Sequence, residues 1–292
     1  MPPSGGFPFI RIFLQVYFIG YTDNSIITKG QKVKKIFITT IFSSVFLGNA
    51  YAECTYNLDA NQTQLNAISA QAIPFPNVSG QKASITLAAS NTYKTYVAVS
   101  SGYGTNKVNQ PTTDEGDKVL SQSNIIAYEM IIKAPNISLT GNSVLALMPG
   151  AFMGTKDGKN VLMNMLASFN NIPAQPNLIF SGWHVADVST GNVLSENTLS
   201  NTDVNNGVRV GFYINQQTQQ VGVIANGNNL GYVGSYSVKP SKGYFTINLG
   251  VQNIPTGSPL IGKEVSVELI TDHTKLQNTY PTGAQDICGN VI

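Results

Sequence analysis

The sequence predicts an all-β protein, a two-sheet antiparallel β-sandwich with few short helices. Apolar and polar residues alternate in about ten short runs, and this period of two is typical of half-buried strands. Residues that favour turns separate the runs, and the 292 residues include 27 Gly and 14 Pro. Charged residues make up only 11% of the chain. Because each strand must bury its apolar side, we expect two sheets packed face to face.

The clearest strand signal lies between Asn206 and Val233. Its first run places four apolar residues on one face of a strand: Val208, Val210, Phe212 and Ile214. Polar residues at 215–219 then interrupt the alternation. The second run ends at Asn226-Gly227, a pair that accepts the positive φ angles of a type I′ turn. This segment therefore predicts a three-stranded antiparallel meander.

Seven other runs predict strands elsewhere in the chain. They are Ser84–Ala89, Tyr93–Ser100, Asn124–Lys133, Ser143–Met148, Asn177–Val185, Tyr244–Gln252 and Lys263–Thr271. Asn124–Lys133 is apolar on nearly both faces, which indicates the middle of a sheet. Asp59–Ala70 predicts a short capped helix, and Ser101–Asp117 predicts a long polar loop. Val161–Ser168 is open between strand and helix, because its Leu and Met content does not favour a strand.

An export signal precedes the sandwich. Lys34 and Lys35 lie before the apolar run Ile36–Leu47, and the stretch ends in Ala50-Tyr51-Ala52. These parts, in this order, describe a secretory signal peptide that is cut after Ala52. The apolar run is also shorter than the roughly 20 residues that a membrane helix needs. We therefore expect residues 33–52 to be removed. The mature chain, 53–292, is then a single exported domain, periplasmic or extracellular, without stable membrane insertion.

Residues 1–32 do not fit that signal peptide. The segment that begins at Val33, VKKIFITTIFSSVFLGNAYA, has the layout of a complete signal peptide by itself. We hypothesise that translation starts at Val33 from a non-AUG codon and that residues 1–32 are a mis-called upstream extension. The alternative is an uncleaved anchor near Ile10–Tyr21. Amino-terminal sequencing of an export-blocked precursor would contradict the hypothesis by finding residues that derive from Met1.

The signal segment accounts for the apparent basicity of the chain. The full sequence has 17 Lys and Arg, 15 Asp and Glu and a net charge of +2. Residues 1–52 contain five of the basic groups and one of the acidic groups, so the mature chain keeps 12 and 14 and has a net charge of −2. Nucleic acid is therefore not an expected partner, since its binding depends on a basic surface.

Cys54 and Cys288 lie at opposite ends of the mature chain and are its two cysteines. In an oxidising compartment, this placement predicts a disulfide that joins the termini. The alternative is lipidation of Cys54 after signal cleavage. Glu53 disfavours lipidation, because that modification needs a small residue directly before the cysteine.

Two resemblances add to this interpretation. Val210-Gly211-Phe212, followed by Asn226-Gly227, resembles a late strand and hairpin of the concanavalin A-like jelly-roll lectins, which implies a jelly-roll sandwich. The mature start at 53–60 (ECTYNLDA), taken with 286–290 (DICGN), resembles a family of uncharacterised secreted proteins from Gram-negative bacteria, described as a domain of unknown function. This second resemblance covers the whole mature chain and implies no activity.

The candidate binding residues are Trp183 and Asp187. In a strand they share one face, while His184 points to the other. A tryptophan ring can stack on a sugar while a carboxylate accepts hydrogen bonds from its hydroxyls, so the pair predicts a sugar platform. A lone tryptophan in a sandwich is more often part of the core, and this alternative stays open.

One loop offers weak calcium ligands. Asp114, Glu115 and Asp117 bring three carboxylates together, and calcium prefers hard oxygen ligands in a flexible loop. Their spacing does not match an EF-hand, and acids with Gly are ordinary loop composition. No other cofactor or metal is expected, since the two cysteines and two histidines are widely separated.

No catalytic residues are predicted. The chain contains only two histidines, His184 and His273, and no Gly-x-Ser-x-Gly elbow for a Ser-His-Asp hydrolase. Glu264 and Glu268 lie on one strand face about 13 Å apart, at 3.3 Å per residue. The two carboxylates of a retaining glycosidase are only about 5 Å apart.

The sequence therefore predicts a secreted, non-enzymatic binding or adhesion domain, with a glycan or another cell-surface component as its partner. The first alternative is a structural protein that assembles through exposed strand edges. A glycoside or ester hydrolase with an unrecognised site is the second.

Overall fold

The computed structural model describes residues 53–111, 116–137, 139, 142–155, 160–172, 175–199 and 204–292, and only the backbone at 160, 170–172 and 175–180. These residues lie in one compact unit. Residues 1–52, with the predicted upstream extension and signal peptide, lie outside the described part.

The described chain contains two helices and sixteen strands. The helices are α1 (Gln62–Ile68) and α2 (Ser101–Asn109). The first eight strands are β1 (Ala72–Pro74), β2 (Asn77–Ser79), β3 (Lys82–Thr86), β4 (Lys94–Val99), β5 (Lys118–Val119), β6 (Ile125–Lys133), β7 (Val144–Gly154) and β8 (Asn160–Ile172). The others are β9 (Gln175–Asp187), β10 (Asn192–Thr198), β11 (Val208–Asn215), β12 (Gln220–Ala225), β13 (Asn228–Ser235), β14 (Lys242–Gln252), β15 (Glu264–Ile270) and β16 (Ala284–Gln285). Among the described residues, no helix is long and apolar enough to cross a membrane.

The strands form two sheets. Sheet A has the order β1-β4-β14-β7-β8-β9-β10, with β5 also paired to β14. Sheet B has the order β13-β12-β11-β6-β15-β3-β2, with β16 paired to β6. Neighbouring strands are antiparallel except for β1 with β4 and β16 with β6. The chain crosses repeatedly from one sheet to the other, and the predicted all-β class, an antiparallel jelly-roll sandwich with few helices, is confirmed.

The predicted meander is confirmed in sheet B. β11 pairs with β12, and β12 with β13, in antiparallel register. Asn226 and Gly227 have φ values of 52° and 75°, the left-handed pair of the predicted turn. β6 lies between β11 and β15, as its two apolar faces predicted.

Two segments differ from the sequence predictions. Ser101–Asp117 is not a continuous loop, because it begins with helix α2, whose N-cap Ser100 accepts a hydrogen bond from the backbone N–H of Tyr103. Helix propensity does not predict α2, because the helix contains two glycines, which are unfavourable in helix interiors. One of them, Gly104, is needed for packing, since a Cβ there would lie 2.6 Å from Cβ of Gln64 on α1. Val161–Ser168 is a strand, because β7 and β9 supply backbone partners on both sides and override local preference.

The main core lies between the two sheets. It is formed by the inward residues of both, including Phe169, Phe212, Phe245, Leu147 and Ile132, each at most 1% exposed. Tyr128 packs among these rings, 5.0 Å from Phe245 and 5.7 Å from Phe212 between ring centroids. A second cluster lies on the outer side of sheet A, where Leu65 of α1 and Tyr103 of α2 cover Val97 and Val99 of β4.

The predicted disulfide is confirmed. Cys54 and Cys288 are bonded, with their Cα atoms 5.8 Å apart and a sequence separation of 234. Closing so long a loop stabilises the fold by up to about 5 kcal/mol in the chain-entropy model.

Candidate functional site

A row of polar side chains crosses the outer face of sheet A. Thr246 on β14 lies opposite Gly150 on β7, and Gly150 lies opposite Asn164 on β8. Asn164 in turn lies opposite His184 on β9, and His184 lies opposite Glu196 on β10. We call Thr246, Gly150, Asn164, His184 and Glu196 the polar row.

Alternation along the strands places this row on the outer face. The neighbours Met163 and Met165 on β8, and Trp183 and Val185 on β9, turn into the core between the sheets. Since successive side chains point to opposite faces, Asn164 and His184 point away from that core. The polar row therefore lies on the outer face of sheet A and not in the core between the sheets.

Asn164 and His184 form a hydrogen-bonded pair. The Nδ1 atom of His184 lies 3.1 Å from Oδ1 of Asn164. An amide oxygen only accepts, so Nδ1 carries the proton and donates, and Nε2 presents a lone pair. Burial lowers the pKa of His184 to about 4, because the imidazolium would lose its hydration. The ring is therefore neutral at pH 7.

A second pair of polar groups lies on β14. The Nδ2 atom of Asn248 donates to Oγ1 of Thr246 at 3.1 Å. Both side chains are nine-tenths buried or more, at 6% and 5% exposure. Asn248 lies two residues from Thr246 on the same face of β14, opposite Met148 of β7.

Aromatic rings border the polar row. Tyr244 lies one step from Thr246 along β14 and opposite Phe152 on β7. Its ring stacks on Phe152 at 5.0 Å and on Tyr103 of α2 at 3.7 Å, with interplanar angles of 4° and 9°. Nζ of Lys107 lies 5.7 Å from the centroid of Tyr103, within the range of a cation–π contact. We call Tyr103, Tyr244 and Phe152 the ring stack.

Larger neighbouring side chains shield the polar row from solvent. His184 is 3% exposed and Asn164 is 6% exposed, whereas the bordering Met148, Phe152 and Leu166 are half-buried. Polar groups in so shielded a position have few waters to bind, and each must find a protein or ligand partner. The face therefore combines a few directed polar atoms with an apolar border, the usual composition of a small-molecule site.

Trp183 and Asp187 do not form the predicted sugar platform. Trp183 is 4% exposed and packs in the main core, so its ring has no free face for stacking. This is the arrangement that a lone tryptophan in a sandwich adopts more often.

Asp187 has a structural role at the end of β9. It is 2% exposed, and it accepts hydrogen bonds from the backbone N–H groups of Ser189, Thr190 and Ser237. Burial alone would raise the pKa of this carboxyl, but hydrogen bonds from Ser237, Thr190 and Ser189 outweigh it and hold the pKa below its usual value.

The calcium candidates are only partly described. Asp114 and Glu115 lie outside the described residues. Asp117 is described, and its two carboxylate oxygens accept hydrogen bonds from the hydroxyls of Tyr56 and Ser100. These contacts join the segment before α1 to the N-terminus of α2, and a calcium site at this loop stays a prediction.

A second group of acids surrounds the other histidine. Nδ1 of His273 lies 3.1 Å from Oδ2 of Asp286 and 3.4 Å from Oδ1 of Asp272. Asp286 also accepts from the backbone N–H groups of Cys288 and Asn290, and Asp272 accepts from Thr274. These bonds hold residues 271–292, the C-terminal tail, next to the disulfide. Glu264 and Glu268 are exposed on β15, as predicted for a solvated strand face.

The family of the chain follows from a match over nearly its whole length. The profile of a family described as "Domain of unknown function (DUF4882)" matches residues 34–290. The chain belongs to this family. The resemblance seen in the two ends of the mature chain is thus confirmed, and a search of curated proteins finds no match.

Solved structures show only distant likeness to this DUF4882 protein. The legume lectin-like domain from Entamoeba histolytica is 9% identical with a TM-score of 0.35, over 66% of this chain and 85% of that one. The carbohydrate binding module CBM66 from Bacillus subtilis is 12% identical with a TM-score of 0.28, over 60% and 94%. The alginate lyase from Alteromonas sp. 272 is 12% identical with a TM-score of 0.35, over 66% and 87%. At this level of similarity none of the three bears on the ligand or activity of the DUF4882 chain.

Sequence reasoning missed most of the polar row. Alternation along Tyr244–Gln252 puts Thr246 and Asn248 on one face of a strand, and alternation along β9 puts His184 on the face opposite Trp183. No local pattern aligns them, however, because the row exists only through the register of five strands, of which β7 to β10 follow one another in the chain and β14 is distant. Thr246 and Asn164, for example, are 82 positions apart in the chain (246 − 164), yet only β7 separates their strands in the sheet.

Proposed function

We propose that this protein is an exported binding domain, without enzymatic activity, that recognises a glycan on the outer face of sheet A. The observation that carries the proposal is the polar row beside the ring stack. Sugars present hydroxyls that pair with amide, imidazole and hydroxyl groups, and apolar C–H faces that pack on an aromatic ring such as that of the half-buried Phe152. Both kinds of surface lie within one strand step of each other on β14 and β7.

Binding without turnover fits the chemistry of the row. Glycoside hydrolysis ordinarily uses two carboxylates, and Glu196 is the one carboxylate in the polar row. His184 is neutral and tied to an amide, an arrangement suited to holding a ligand. The disulfide supports export, since such bonds persist in oxidising compartments.

Assembly through strand edges is the alternative. On one side the two sheets end in β1 and β2, of three residues each, and edges this short offer little backbone for pairing. On the other side β13 approaches β10 so closely that a Cβ on Gly234 would lie 2.7 Å from Cβ of Leu194. Both features favour the face over the edges as the site of recognition.

A glycan array with the mature chain, residues 53–292, tests the proposal. Binding of at least one glycan is expected, and it should fall about tenfold or more in Asn164→Ala and Asn248→Ala, since each loses directed hydrogen bonds. Asn228→Ala is the matched control, because Asn228 is exposed on β13 of the other sheet.

Three outcomes would overturn the proposal. One is an array without hits, and another is binding that the Asn164 and Asn248 variants leave intact. The third is turnover on a panel of glycosides and esters that disappears with Glu196→Gln, which would establish a hydrolase. Light scattering that shows polymers in place of a monomer would favour the edge-assembly alternative.

A further inference from the structure

His184 has an acceptor atom without a partner. Its Nε2 atom is buried and makes no hydrogen bond, while Nδ1 is fixed by Asn164. Leaving a buried acceptor unpaired is unfavourable, because the atom has lost its hydrogen bonds to water. Such atoms are rare in folded proteins, and each calls for an explanation such as a missing ligand.

The strand positions on either side of His184 carry small residues. On its own strand the ring lies between Gly182 and Ala186, whose side chains are the two smallest. Across the row, Gly150 has no side chain between Thr246 and Asn164. A Cβ added at Gly150 would lie 3.4 Å from Cβ of Asn164 and 3.6 Å from Cδ1 of Leu162, an ordinary contact distance. A glycine is therefore not required there by packing, because a small side chain at this position would make only ordinary contacts.

The polar row and the two rows that border it contain no cation, although Lys107 lies beside the ring stack, with Nζ 5.7 Å from the centroid of Tyr103. The upper border of the row consists of Tyr244, Phe152, Leu162, Ala186 and Val193, and the lower border consists of Asn248, Met148, Leu166, Gly182 and Thr198. Within the row and these two borders, His184 and Glu196 are the only acidic or basic side chains, and His184 is uncharged at neutral pH. Nothing in these three rows offers a cation to the carboxylate of an acidic sugar, and Glu196 repels it.

We propose that the polar row selects uncharged sugars, with a ligand hydroxyl donating a hydrogen bond to Nε2 of His184 and Glu196 disfavouring uronic acids. This inference rests on the proposed glycan-binding function and adds its ligand class and a specificity-determining residue. Asn164 is then a positioning residue for the ring, because its amide oxygen fixes which nitrogen of His184 faces the ligand.

Calorimetric titration of the mature chain tests this ligand class. The neutral probes are laminarin, galactomannan and xyloglucan, and the acidic probes are alginate and polygalacturonate. At least one neutral glycan is expected to bind tenfold or more tightly than either acidic one. His184→Phe keeps a flat ring but removes the acceptor, and should weaken neutral-glycan binding about tenfold. His184→Gln, whose amide oxygen accepts, should recover part of the loss.

Matched variants separate specificity from folding. His273→Gln changes the other histidine, which lies in the tail beside the disulfide, and should leave binding unchanged. Glu196→Gln should raise the affinity for the acidic probes while leaving the neutral ones bound. Gly150→Leu places a large side chain in the middle of the polar row and should abolish binding. Gly150→Ala adds only a methyl group and should reduce binding less.

The outcomes distinguish failure of the proposed ligand class from failure of the proposed glycan-binding function. Equal or tighter binding of an acidic glycan, or full binding by a folded His184→Phe, overturns the ligand class and leaves the glycan-binding function standing. If His184→Phe does not fold, the Glu196→Gln and Gly150 variants decide the same question. Failure of all five probes and of the array overturns both proposals.

Discussion

At the scale of single residues, His184 makes stability depend on pH. Its pKa in the folded chain is about 4, below the ordinary value of about 6.5, because burial disfavours the charged ring. The unfolded chain therefore binds a proton more readily between these values. The folded state keeps the full contribution above about pH 6.5 and loses it as the pH falls toward 4, by an amount on the order of 3 kcal/mol.

Urea unfolding at pH 7 and pH 4.5 measures this dependence. The wild-type chain should lose more unfolding free energy over this interval than His184→Gln, which has no titrating group at that position. Glu196 on β10 faces His184 and is the other acidic or basic side chain on the outer face of β8–β10 among the described residues, so Glu196→Gln is the companion variant. Equal pH dependence in wild type and His184→Gln would contradict the prediction.

Asp187 should matter for stability and not for binding. Asp187→Ala leaves the N–H groups of Ser189, Thr190 and Ser237 without their acceptor, and we expect a loss of about 2–4 kcal/mol in unfolding free energy. Asp187→Asn keeps an acceptor oxygen and should cost less. A stable Asp187→Ala protein that has lost glycan binding would restore the binding role that the sequence predicted for this residue.

At the scale of elements, a buried carboxylate fastens the tail to sheet B. Glu129 on β6 is fully buried and forms an ion pair with Arg209 on β11. It also accepts from the backbone N–H groups of Gln277 and Asn278, at 2.9 and 2.8 Å. Gly211 allows this docking, because a Cβ there would lie 2.5 Å from the Tyr280 hydroxyl.

Removing this carboxylate should release the tail. Glu129→Ala leaves Arg209 and two backbone N–H groups unpaired, and loss of one partner of a buried ion pair costs about 3–5 kcal/mol. Hydrogen exchange at residues 274–282 should rise, while exchange in β14 of the other sheet stays slow. Exposed Glu264→Ala on β15 is the control. Unchanged protection of the tail in Glu129→Ala would show that the disulfide alone holds it.

At the scale of the whole molecule, the disulfide joins the two ends of the chain from Cys54 to Cys288. Reduction, or the double variant Cys54→Ala with Cys288→Ala, should lower the unfolding free energy by about 2–5 kcal/mol. The sheets should persist by circular dichroism, since the core does not depend on the bond. Intact mass after alkylation without reductant should show no labelled thiol, and two labelled thiols would contradict the bond.

Local patterns in the sequence determined the class of fold, the meander, the central position of β6 and the disulfide. Each depends on signals within a short segment or on two unique cysteines: strand alternation, the Asn-Gly turn, and the two ends of the chain. Where local preference was weak, as in the Gly-containing helix α2 and the Met-rich strand β8, pairing and packing with distant segments decided the structure.

Only the tertiary structure decided which side chains lie together on the outer face of sheet A. Alternation shows that Trp183 and His184 face opposite ways, but not which way leads into the core. That depends on which sheet packs against which, and the structure puts Trp183 inside and His184 outside. The polar row has the same origin, because a register between five strands brings together side chains that no local pattern connects.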